Sequence, residues 1–400
     1  MEAGEAIGRL LEPGGSADPY PIYAALRKHG PVARLDDRLF VASGYSVITE
    51  LLRDPRMRVQ DEDYVRRVVP GWEPGEAERA LMASLLQVNP PDHTRLRRVV
   101  SGAFTPRRVA QMRDAVQTQA QKHTAYLGHL LGSGEPVDFM ADFAFPLPVR
   151  VICALLGVPV TEQAWFREQA TALTAILEYR FNESELDSAN RAATDLAAYF
   201  GELVERRRAE PTDDLTSALV AAGEGYSETE VLSTLILLLV AGFETTTSLL
   251  GNGLVVLLEH PEAAAALRAD EGLAERYVEE LLRFDAPVQL TSRWCHEAVT
   301  VAGTPIPAYA EIMLLLGAGN RDPERFEDPD AFNPLRDAIQ PLSFGAGAHY
   351  CLGAALARME AQIAFPLLLN RFPTLRLADG AQRRDRLTLR GYASLPVALA

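Results

Sequence analysis

Along most of the chain, apolar residues recur with the three-to-four-residue period of an amphipathic helix. From His93 to about residue 210 this helical period dominates, interrupted by glycine and proline. Ser227 and Glu230 then form an S-x-x-E capping box ahead of a long apolar run, which predicts a helix start. That helix can extend to Glu259, because Pro261 follows and stops it. It would hold about 33 residues and measure roughly 50 Å, long enough to cross the whole molecule.

Shorter elements flank this helical region. Further helices are predicted over residues 18–29, 44–53, 272–284 and 352–371. Strands are predicted as a hairpin over 32–35 and 39–42, as short pieces within 298–316, and as a last hairpin within 386–399. Irregular, loop-rich structure is predicted over 55–92 and 317–350. A loop as long as 55–92 in a compact domain is usually a lid or a binding loop.

These elements predict a single large domain over residues 1–400, mainly α-helical with small β-sheets. The β-rich parts are expected at about 31–42, 298–316 and 386–399. The helical parts are expected at about 93–290 and 352–371. No internal repeat or low-complexity tract contradicts this organisation.

Composition, charge and the apolar runs exclude several classes of function. The 400 residues carry 39 Lys and Arg against 54 Asp and Glu, a net charge of −15, which excludes a general nucleic-acid binder. Three cysteines without a close pair exclude a disulfide scaffold and suit a reducing cytoplasm. The most apolar run, 231–241, is too short to span a bilayer, and the acidic N-terminus lacks the apolar stretch of a signal peptide. We therefore expect a cytoplasmic protein without a membrane anchor.

The strongest chemical signal is the string 344–353, FGAGAHYCLG. Its glycines allow a backbone loop to approach a large flat group, and Cys351 stands where the last long helix begins. A helix N-terminus stabilises a thiolate, and loop N–H groups can donate to its sulfur. The pattern F-G-x-G-x-H-x-C-x-G resembles the haem-binding signature of the cytochrome P450 family, the haem-thiolate monooxygenases.

The resemblance implies a cytochrome P450 fold with the long central helix over a haem b, iron protoporphyrin IX. Cys351 would be the axial iron ligand and the metal site of the protein. Phe344 would pack beside the sulfur, His349 would meet a haem propionate, and Gly345 and Gly353 would complete the loop.

A second signal lies inside the long helix, in the string 241–246, AGFETT. Gly242 weakens the helix and a threonine can bond back to the preceding turn, so a local kink with room for a small ligand is expected. A carboxylate beside a hydroxyl can relay protons. The string resembles the acid–alcohol pair of the family, which implies catalytic roles for Glu244 and Thr245.

A third signal, Glu280 and Arg283, places two opposite charges on one helix face. In isolation such a pair is usually a solvated ion pair. In the family it is a buried structural pair closed by a further arginine. Two arginines compete for that place, and the spacing to Cys351 favours Arg336 over Arg325.

A fourth signal, His93 and Arg97, puts two donors on one face of a helix, which suits a carboxylate. The surrounding string resembles the propionate-binding helix of the family. Arg293, in T-S-R-W, fits a further propionate contact, although Trp294 stands where smaller residues are common. The resemblance thus implies that His93, Arg97, Arg293 and His349 anchor the two propionates.

The implied reaction inserts one oxygen atom from dioxygen into a hydrophobic small molecule, tailoring a bacterial secondary metabolite such as a polyketide, terpenoid or peptide. Electrons would come from a ferredoxin and its NAD(P)H-dependent reductase, and we expect a monomer. Candidate docking residues for the ferredoxin are Arg95, Arg98, Arg107, Arg108 and Arg358. Candidate substrate-pocket residues are Leu85, Leu86, Val88, Leu238, Ala241, Val288, Leu290 and Tyr392.

Four other functions share some of these features. A cysteine phosphatase requires closer spacing than that between Cys351 and Arg358, and a zinc site lacks a second ligand pair near His349. A non-catalytic haem sensor does not require the proton relay that Glu244 and Thr245 would form. A peroxide-driven haem peroxygenase typically lacks that pair. The sensor and the peroxygenase stay open as alternatives.

Overall fold

The computed structural model describes residues 2–400, apart from the side chains of Val160, Gln163 and Glu224. Helices account for 57% of the residues. The described α-helices are α1 (Ala3–Leu11), α2 (Tyr20–Arg27), α3 (Tyr45–Arg53), α4 (Glu62–Val68), α5 (Glu76–Met82), α6 (Asp92–Ser101), α7 (Pro106–Gln111), α8 (Arg113–Leu131), α9 (Pro146–Leu156), α10 (Gln163–Leu173), α11 (Glu183–Ala209), α12 (Leu215–Ala221), α13 (Glu228–Glu259), α14 (Pro261–Ala269), α15 (Ala274–Phe284), α16 (Leu316–Gly319) and α17 (Ala354–Arg371).

The strands are short and form four small sheets. They are β1 (Val32–Arg34), β2 (Leu39–Ala42), β3 (Met57–Arg58), β4 (Val137–Asp138), β5 (Thr291–Cys295), β6 (Val299–Val301), β7 (Thr304–Ile306), β8 (Glu311–Leu314), β9 (Leu375–Leu377), β10 (Gln382–Arg383), β11 (Tyr392–Ser394) and β12 (Pro396–Leu399). The largest sheet has the order β1-β2-β8-β5-β3, in which β2 and β8 are parallel. The others have the orders β4-β12-β9, β6-β7 and β10-β11.

The chain divides into two compact units. The first comprises residues 1–57, 112–148 and 245–400, and the second comprises 58–111 and 149–244. Apart from Arg58 in β3, the described strands all lie in the first unit, where α17 packs against α8, α14 and α15. The second unit is helical, and its helix α11 packs against α5, α10 and α12.

Several predicted elements are confirmed. The first hairpin forms with Val32 opposite Ala42. The capping box starts α13, since the Ser227 amide donates to Glu230 Oε2 at 2.7 Å and the Glu230 amide donates to Ser227 Oγ at 3.2 Å. Of the helices in residues 2–400, α13 alone is long and apolar enough to cross a membrane, but 78% of its most apolar window is buried inside the protein. It is therefore a core helix.

Three predictions were wrong or incomplete. The stretch 55–92 contains α4 and α5, because its Asp and Glu residues cap short helices between the prolines. The tail does not form a hairpin: β11 pairs with β10, whereas β12 pairs with β4 and β9. Helix α1 was missed because its apolar face, which includes Ile7 and Leu10, spans only about two turns. That face packs into a core cluster with Tyr23 and Met313.

Candidate active site

The loop before α17 is built to expose one sulfur. Cys351 is exposed, and its amide donates to the Phe344 carbonyl at 2.9 Å, which closes the loop. Gly345 and Gly347 adopt φ values of +67° and +71°, a region that other residues rarely enter. A Cβ on Gly347 would lie 2.2 Å from the Leu52 carbonyl oxygen, whereas a Cβ on Gly345 would have no neighbour within 4 Å. The loop is thus anchored at Gly347 and open beside Gly345.

The other two cysteines have a different environment. Burial raises the pKa of Cys153 to about 12 and that of Cys295 to about 11, so both are protonated thiols at neutral pH. Both are buried. Of the three, Cys351 alone combines exposure with a place just ahead of a helix N-terminus, as a thiolate ligand requires.

Arg293 on β5 is a buried cation without a counterion. Its side chain is 6% exposed and donates to Thr291 Oγ1 at 3.2 Å and to the Ser292 carbonyl at 2.6 Å. No carboxylate within residues 2–400 forms an ion pair with it, and burial lowers its pKa to about 10. A buried guanidinium in this state calls for an anionic partner. A haem propionate has the required charge, so this observation fits the implied cofactor.

Trp294 does not disturb that arrangement. Successive side chains of a strand point to opposite faces, so Trp294 and Arg293 diverge. The Trp294 ring stacks on Tyr309 with 5.8 Å between ring centroids, and Tyr309 holds a φ of +63°. The two large residues, Trp294 and Tyr309, thus pack against each other.

The remaining propionate candidates are divided between the two units. His349 is half-buried in the Cys351 loop of the first unit. His93 and Arg97 lie on α6 in the second unit, four residues apart and hence on one helix face. His93 is 2% exposed and Arg97 is half-buried.

The middle of α13 has one uncovered face. Ala241 is exposed and Gly242 and Thr245 are half-exposed, although nearly all their neighbours along the helix are buried. These positions share a helix face. The helix is continuous through these positions, so the predicted kink does not interrupt it, and the residues on this face have small side chains. A Cβ on Gly242 would lie 2.7 Å from Ile152, so this glycine is also needed for close packing.

Glu244 is held from outside its own helix. Its side chain is 2% exposed, and the Thr171 hydroxyl on α10 donates to its Oε1 at 3.0 Å. Sequence reasoning missed Thr171, because it lies 73 positions before Glu244 and no sequence pattern links the two. The contact gives the carboxylate a fixed place beside Thr245.

Glu280, Arg283 and Arg336 come together. Arg283 donates twice to Glu280 at 2.7 Å, and both side chains are fully buried. Arg336 Nε donates to Glu280 Oε1 at 3.1 Å. Arg325 instead donates to the Ala338 carbonyl at 3.1 Å and lies over the Tyr45 ring. The structure thus closes the pair with Arg336, the arginine that the spacing favours.

The same two arginines also hold the main chain that follows α16. Arg283 donates to the carbonyls of Asn320, Pro329 and Ala331 at 2.7–3.0 Å. Arg336 donates to the Ala331 carbonyl at 2.8 Å. Because this segment has no long helix or strand, these side-chain bonds replace a backbone ladder.

The pocket candidates differ in exposure. On the second unit, Leu86 is 38% exposed and Ala241 is exposed, whereas Leu85 and Leu238 are buried. Val88 and, in the first unit, Val288 are half-buried. The surface that these residues offer to an apolar ligand is therefore concentrated at Leu86 and Ala241.

The structure contradicts two pocket candidates, Leu290 and Tyr392. Leu290 is 1% exposed inside a core cluster with Leu10, so it offers no surface to a ligand. Tyr392 lines a cavity of about 490 Å³ in which Arg390 Nε donates to Asp285 at 2.6 Å. That cavity is charged and does not match an apolar substrate pocket. Both predictions were wrong because long-range packing, which decides what a side chain faces, is not visible in a short apolar run; Leu290 lies just before β5, and Tyr392 lies on β11.

Glu360 on α17 is a further buried acid, and it leads to a prediction about pH. It is 1% exposed, its Oε2 has no hydrogen-bond partner within residues 2–400, and burial raises its pKa to about 8. The unfolded chain releases this proton near pH 4.5 but the folded chain retains it. The free energy of unfolding therefore falls as pH rises between these values, by up to about 1.4 kcal/mol per pH unit.

We expect Glu360→Gln to remove this pH dependence. Urea unfolding at about pH 6 and pH 8 should show the wild type losing about 2 kcal/mol more than the variant. Glu262→Gln, at an exposed position, should behave as the wild type. Equal losses in all three proteins would show that Glu360 is ionised in the folded state.

The chain is similar to known proteins over nearly its whole length. The sequence profile of the family described as Cytochrome P450 matches residues 7–392. The chain is 38% identical to a vitamin D(3) 25-hydroxylase of Pseudonocardia autotrophica over 393 residues, covering 96% of this chain and 94% of the relative. It is 39% identical to the cytochrome P450 monooxygenase PikC of Streptomyces venezuelae over 371 residues, covering 90% and 86%.

A solved structure is similar over nearly its whole length. The crystal structure of P450BioI, in complex with hexadec-9Z-enoic acid ligated acyl carrier protein, superposes with a TM-score of 0.89 at 35% sequence identity. The match covers 96% of this chain and 98% of that one. The similarity therefore extends well beyond the Cys351 loop.

Proposed function

The chain belongs to the cytochrome P450 family of oxidoreductases, and we propose that it inserts one oxygen atom of dioxygen into a hydrophobic small molecule by hydroxylation or epoxidation. The observation that carries the proposal is the exposed Cys351, held in a two-glycine loop ahead of α17. The overall reaction consumes the substrate, dioxygen, two electrons and two protons, and it yields the oxygenated product and water.

In this proposal, different residues of the site would bind the iron and the propionates of a haem b. The Cys351 thiolate would bind the iron, and Phe344 would pack near the sulfur. Arg293 offers its uncompensated charge to one propionate, and His349, His93 and Arg97 are the further propionate donors of the proposal. When bound, the haem supplies the activation of dioxygen by electrons that arrive one at a time.

Glu244 and Thr245 handle the two protons. Thr245 lies on the uncovered face of α13. Glu244, the preceding residue, lies about 100° away around the helix on a buried side, where Thr171 donates to its Oε1. A carboxylate next to a hydroxyl can exchange a proton with it directly or through one water. We assign the resupply of protons to Glu244 and their delivery to Thr245.

Thr245→Ala should uncouple electron consumption from product formation. Without the hydroxyl, proton delivery is misdirected, so NAD(P)H oxidation continues while the product formed per NAD(P)H falls several-fold or more. The upper bound on this fall is about 10²–10⁴-fold, the range of proton-transfer catalysis. Product and hydrogen peroxide per NAD(P)H are the measurements. Thr245→Ser retains the hydroxyl and should stay coupled; unchanged coupling in the alanine variant would remove this role.

We propose that the substrate is a bacterial secondary metabolite, such as a polyketide, terpenoid or peptide. Support comes from PikC and the vitamin D(3) 25-hydroxylase, relatives at 38–39% identity, the second of which acts on a large hydrophobic molecule by its name. On this chain, Leu86 and Ala241 offer exposed apolar surface, and Leu85, Val88, Leu238 and Val288 are the other pocket residues of the proposal.

The proposed electron donor is a ferredoxin reduced by an NAD(P)H-dependent reductase, acting in the cytoplasm on a monomer. Ferredoxins are acidic, so their docking needs exposed cations. Arg98 and Arg107 are exposed. Arg95 pairs with Glu230, Arg108 with Asp213 and Arg358 with Glu279, so their charges are partly neutralised. We therefore rest the docking proposal on Arg98 and Arg107.

The test is an optical spectrum of the purified protein, reduced and exposed to carbon monoxide. A far red-shifted Soret band supports thiolate ligation, and protein without haem would overturn the proposal. Incubation with isotopically labelled dioxygen, a ferredoxin and its reductase then separates the alternatives. Label in the product supports the monooxygenase; oxidation with hydrogen peroxide alone would favour a peroxygenase, and no turnover of any ligand that shifts the spectrum would favour a sensor.

A further inference from the structure

Arg358 on α17 contacts both ends of the Cys351 loop. We call Arg358, Glu279, Phe344 and Tyr350 the arginine clamp. Arg358 Nη1 donates to the Tyr350 hydroxyl at 3.1 Å, and its guanidinium carbon lies 4.3 Å from the centroid of the Phe344 ring. Phe344 and Tyr350 also meet edge to face, with 6.5 Å between their centroids.

Glu279 on α15 fixes the guanidinium in this position. Arg358 Nη2 donates to Glu279 Oε2 at 3.0 Å, and Arg358 Nε donates to Glu279 Oε1. The two side chains are only 24% and 17% exposed. Burial would lower the pKa of Arg358, but the hydrogen bonds to Glu279 outweigh it and raise that pKa. Arg358 therefore stays positively charged at any ordinary pH.

The clamp bears on the sulfur through the loop itself. Phe344 accepts the Cys351 amide at its carbonyl, and Tyr350 is the residue directly before Cys351. A planar guanidinium can hold a carboxylate, a hydroxyl and an aromatic face at once, which a lysine ammonium cannot. Tyr350 is 39% exposed and Phe344 is half-buried, so little else covers this side of the loop.

We propose that Arg358 is a positioning residue for the thiolate of Cys351, and that the balance of charge between Arg358 and Glu279 sets the reduction potential of the iron. The inference rests on the proposed haem-thiolate function. Reduction adds one negative charge to the site, and a nearby cation favours the reduced state. Loss of the Arg358 charge should lower the potential, whereas loss of the Glu279 charge should raise it.

The opposite signs distinguish this role from a structural one. Arg358→Gln and Glu279→Gln break the same ion pair, so damage to the loop alone would move the potential in the same direction in both. We expect a several-fold to tenfold change in the ferrous-to-ferric ratio at a fixed potential, a tenfold change corresponding to about 59 mV for one electron. Arg371→Gln removes a positive charge near the far end of α17, about 20 Å along the helix, and serves as the control.

A second pair of variants separates position from charge. Arg358→Lys keeps the positive charge but loses the planar guanidinium with its several N–H donors. Tyr350→Phe removes only the hydroxyl contact at an exposed residue. In both variants the reduction potential should differ from that of the wild type by no more than it does in the Arg371→Gln control. Both should convert more readily than wild type, in mild urea, from the far red-shifted ferrous–carbon monoxide band to a band without thiolate ligation.

The experiment is a redox titration and carbon monoxide spectrum of the holoenzyme and its five variants. Shifts of opposite sign in the two glutamine variants support the inference. Shifts of the reduction potential that have the same sign in both variants, or no shift, would overturn it. An unchanged potential with slower reduction by ferredoxin would also overturn it and would assign Arg358 to docking. A wild type without the thiolate band would instead overturn the proposed function, and this inference with it.

Discussion

Cys351→Ala should abolish oxygenation and remove the far red-shifted ferrous–carbon monoxide band. The loop places this one sulfur in the open, while the other two cysteines are buried thiols with raised pKa values. No described side chain of the loop from Phe344 to Gly353 other than Cys351 offers a thiolate. Activity should therefore fall below detection, a larger loss than we expect from Thr245→Ala.

The measurement is haem content, the carbon monoxide spectrum and product formation for the variant and a matched control. Cys153→Ala removes a cysteine from the core without touching the loop, so it should keep the band and the activity. Its cost is limited to the packing of one small buried side chain. A Cys351→Ala protein that retains the thiolate band would refute the assignment of the ligand.

Glu280→Gln should cause the largest loss of stability. Two buried guanidinium groups, those of Arg283 and Arg336, rely on this one carboxylate, which is fully buried and also accepts the Asn333 amide at 2.8 Å. Removing one partner of a buried ion pair leaves the other charge uncompensated and costs about 3–5 kcal/mol.

Urea unfolding followed by circular dichroism measures this effect. Glu275→Gln, at an exposed position on the same helix, should change the free energy of unfolding by less than about 0.5 kcal/mol. Arg336→Gln should destabilise more than Arg325→Gln, since Arg336 is 9% exposed and bonded to Glu280. Equal unfolding midpoints for the Glu280 and Glu275 variants would show that the charge network adds nothing to stability.

Local chemistry was the part of the molecule that sequence predicted well. The capping box of α13, the first hairpin and the choice of Arg336 over Arg325 each depend on residues close in sequence or on a family spacing. Such signals act within one or two turns of chain. The cysteine loop is of the same kind, because its glycines and its thiol lie within ten residues.

Contacts between distant segments were the part that sequence could not predict. The Thr171 hydroxyl reaches Glu244, and Arg358 reaches Glu279 across 79 residues, without any periodic signal. Two adjacent β-like runs in the tail predict a hairpin, yet the partners of these runs lie elsewhere in the chain. Leu290 failed for a related reason: its neighbours are set by the sheet and by α1. Long-range packing decides these positions.

The arginine bonds to main-chain carbonyls have an evolutionary consequence. Between Asn320 and Arg336 the carbonyls that receive Arg283 and Arg336 belong to the peptide backbone, which every residue type supplies. The shape of the segment therefore depends on two guanidinium groups and one carboxylate in addition to its own polar side chains, such as Asp322 and Asn333. Positions that contribute only a carbonyl, such as Ala331, can change among relatives while the geometry persists, whereas Glu280, Arg283 and Arg336 should be retained.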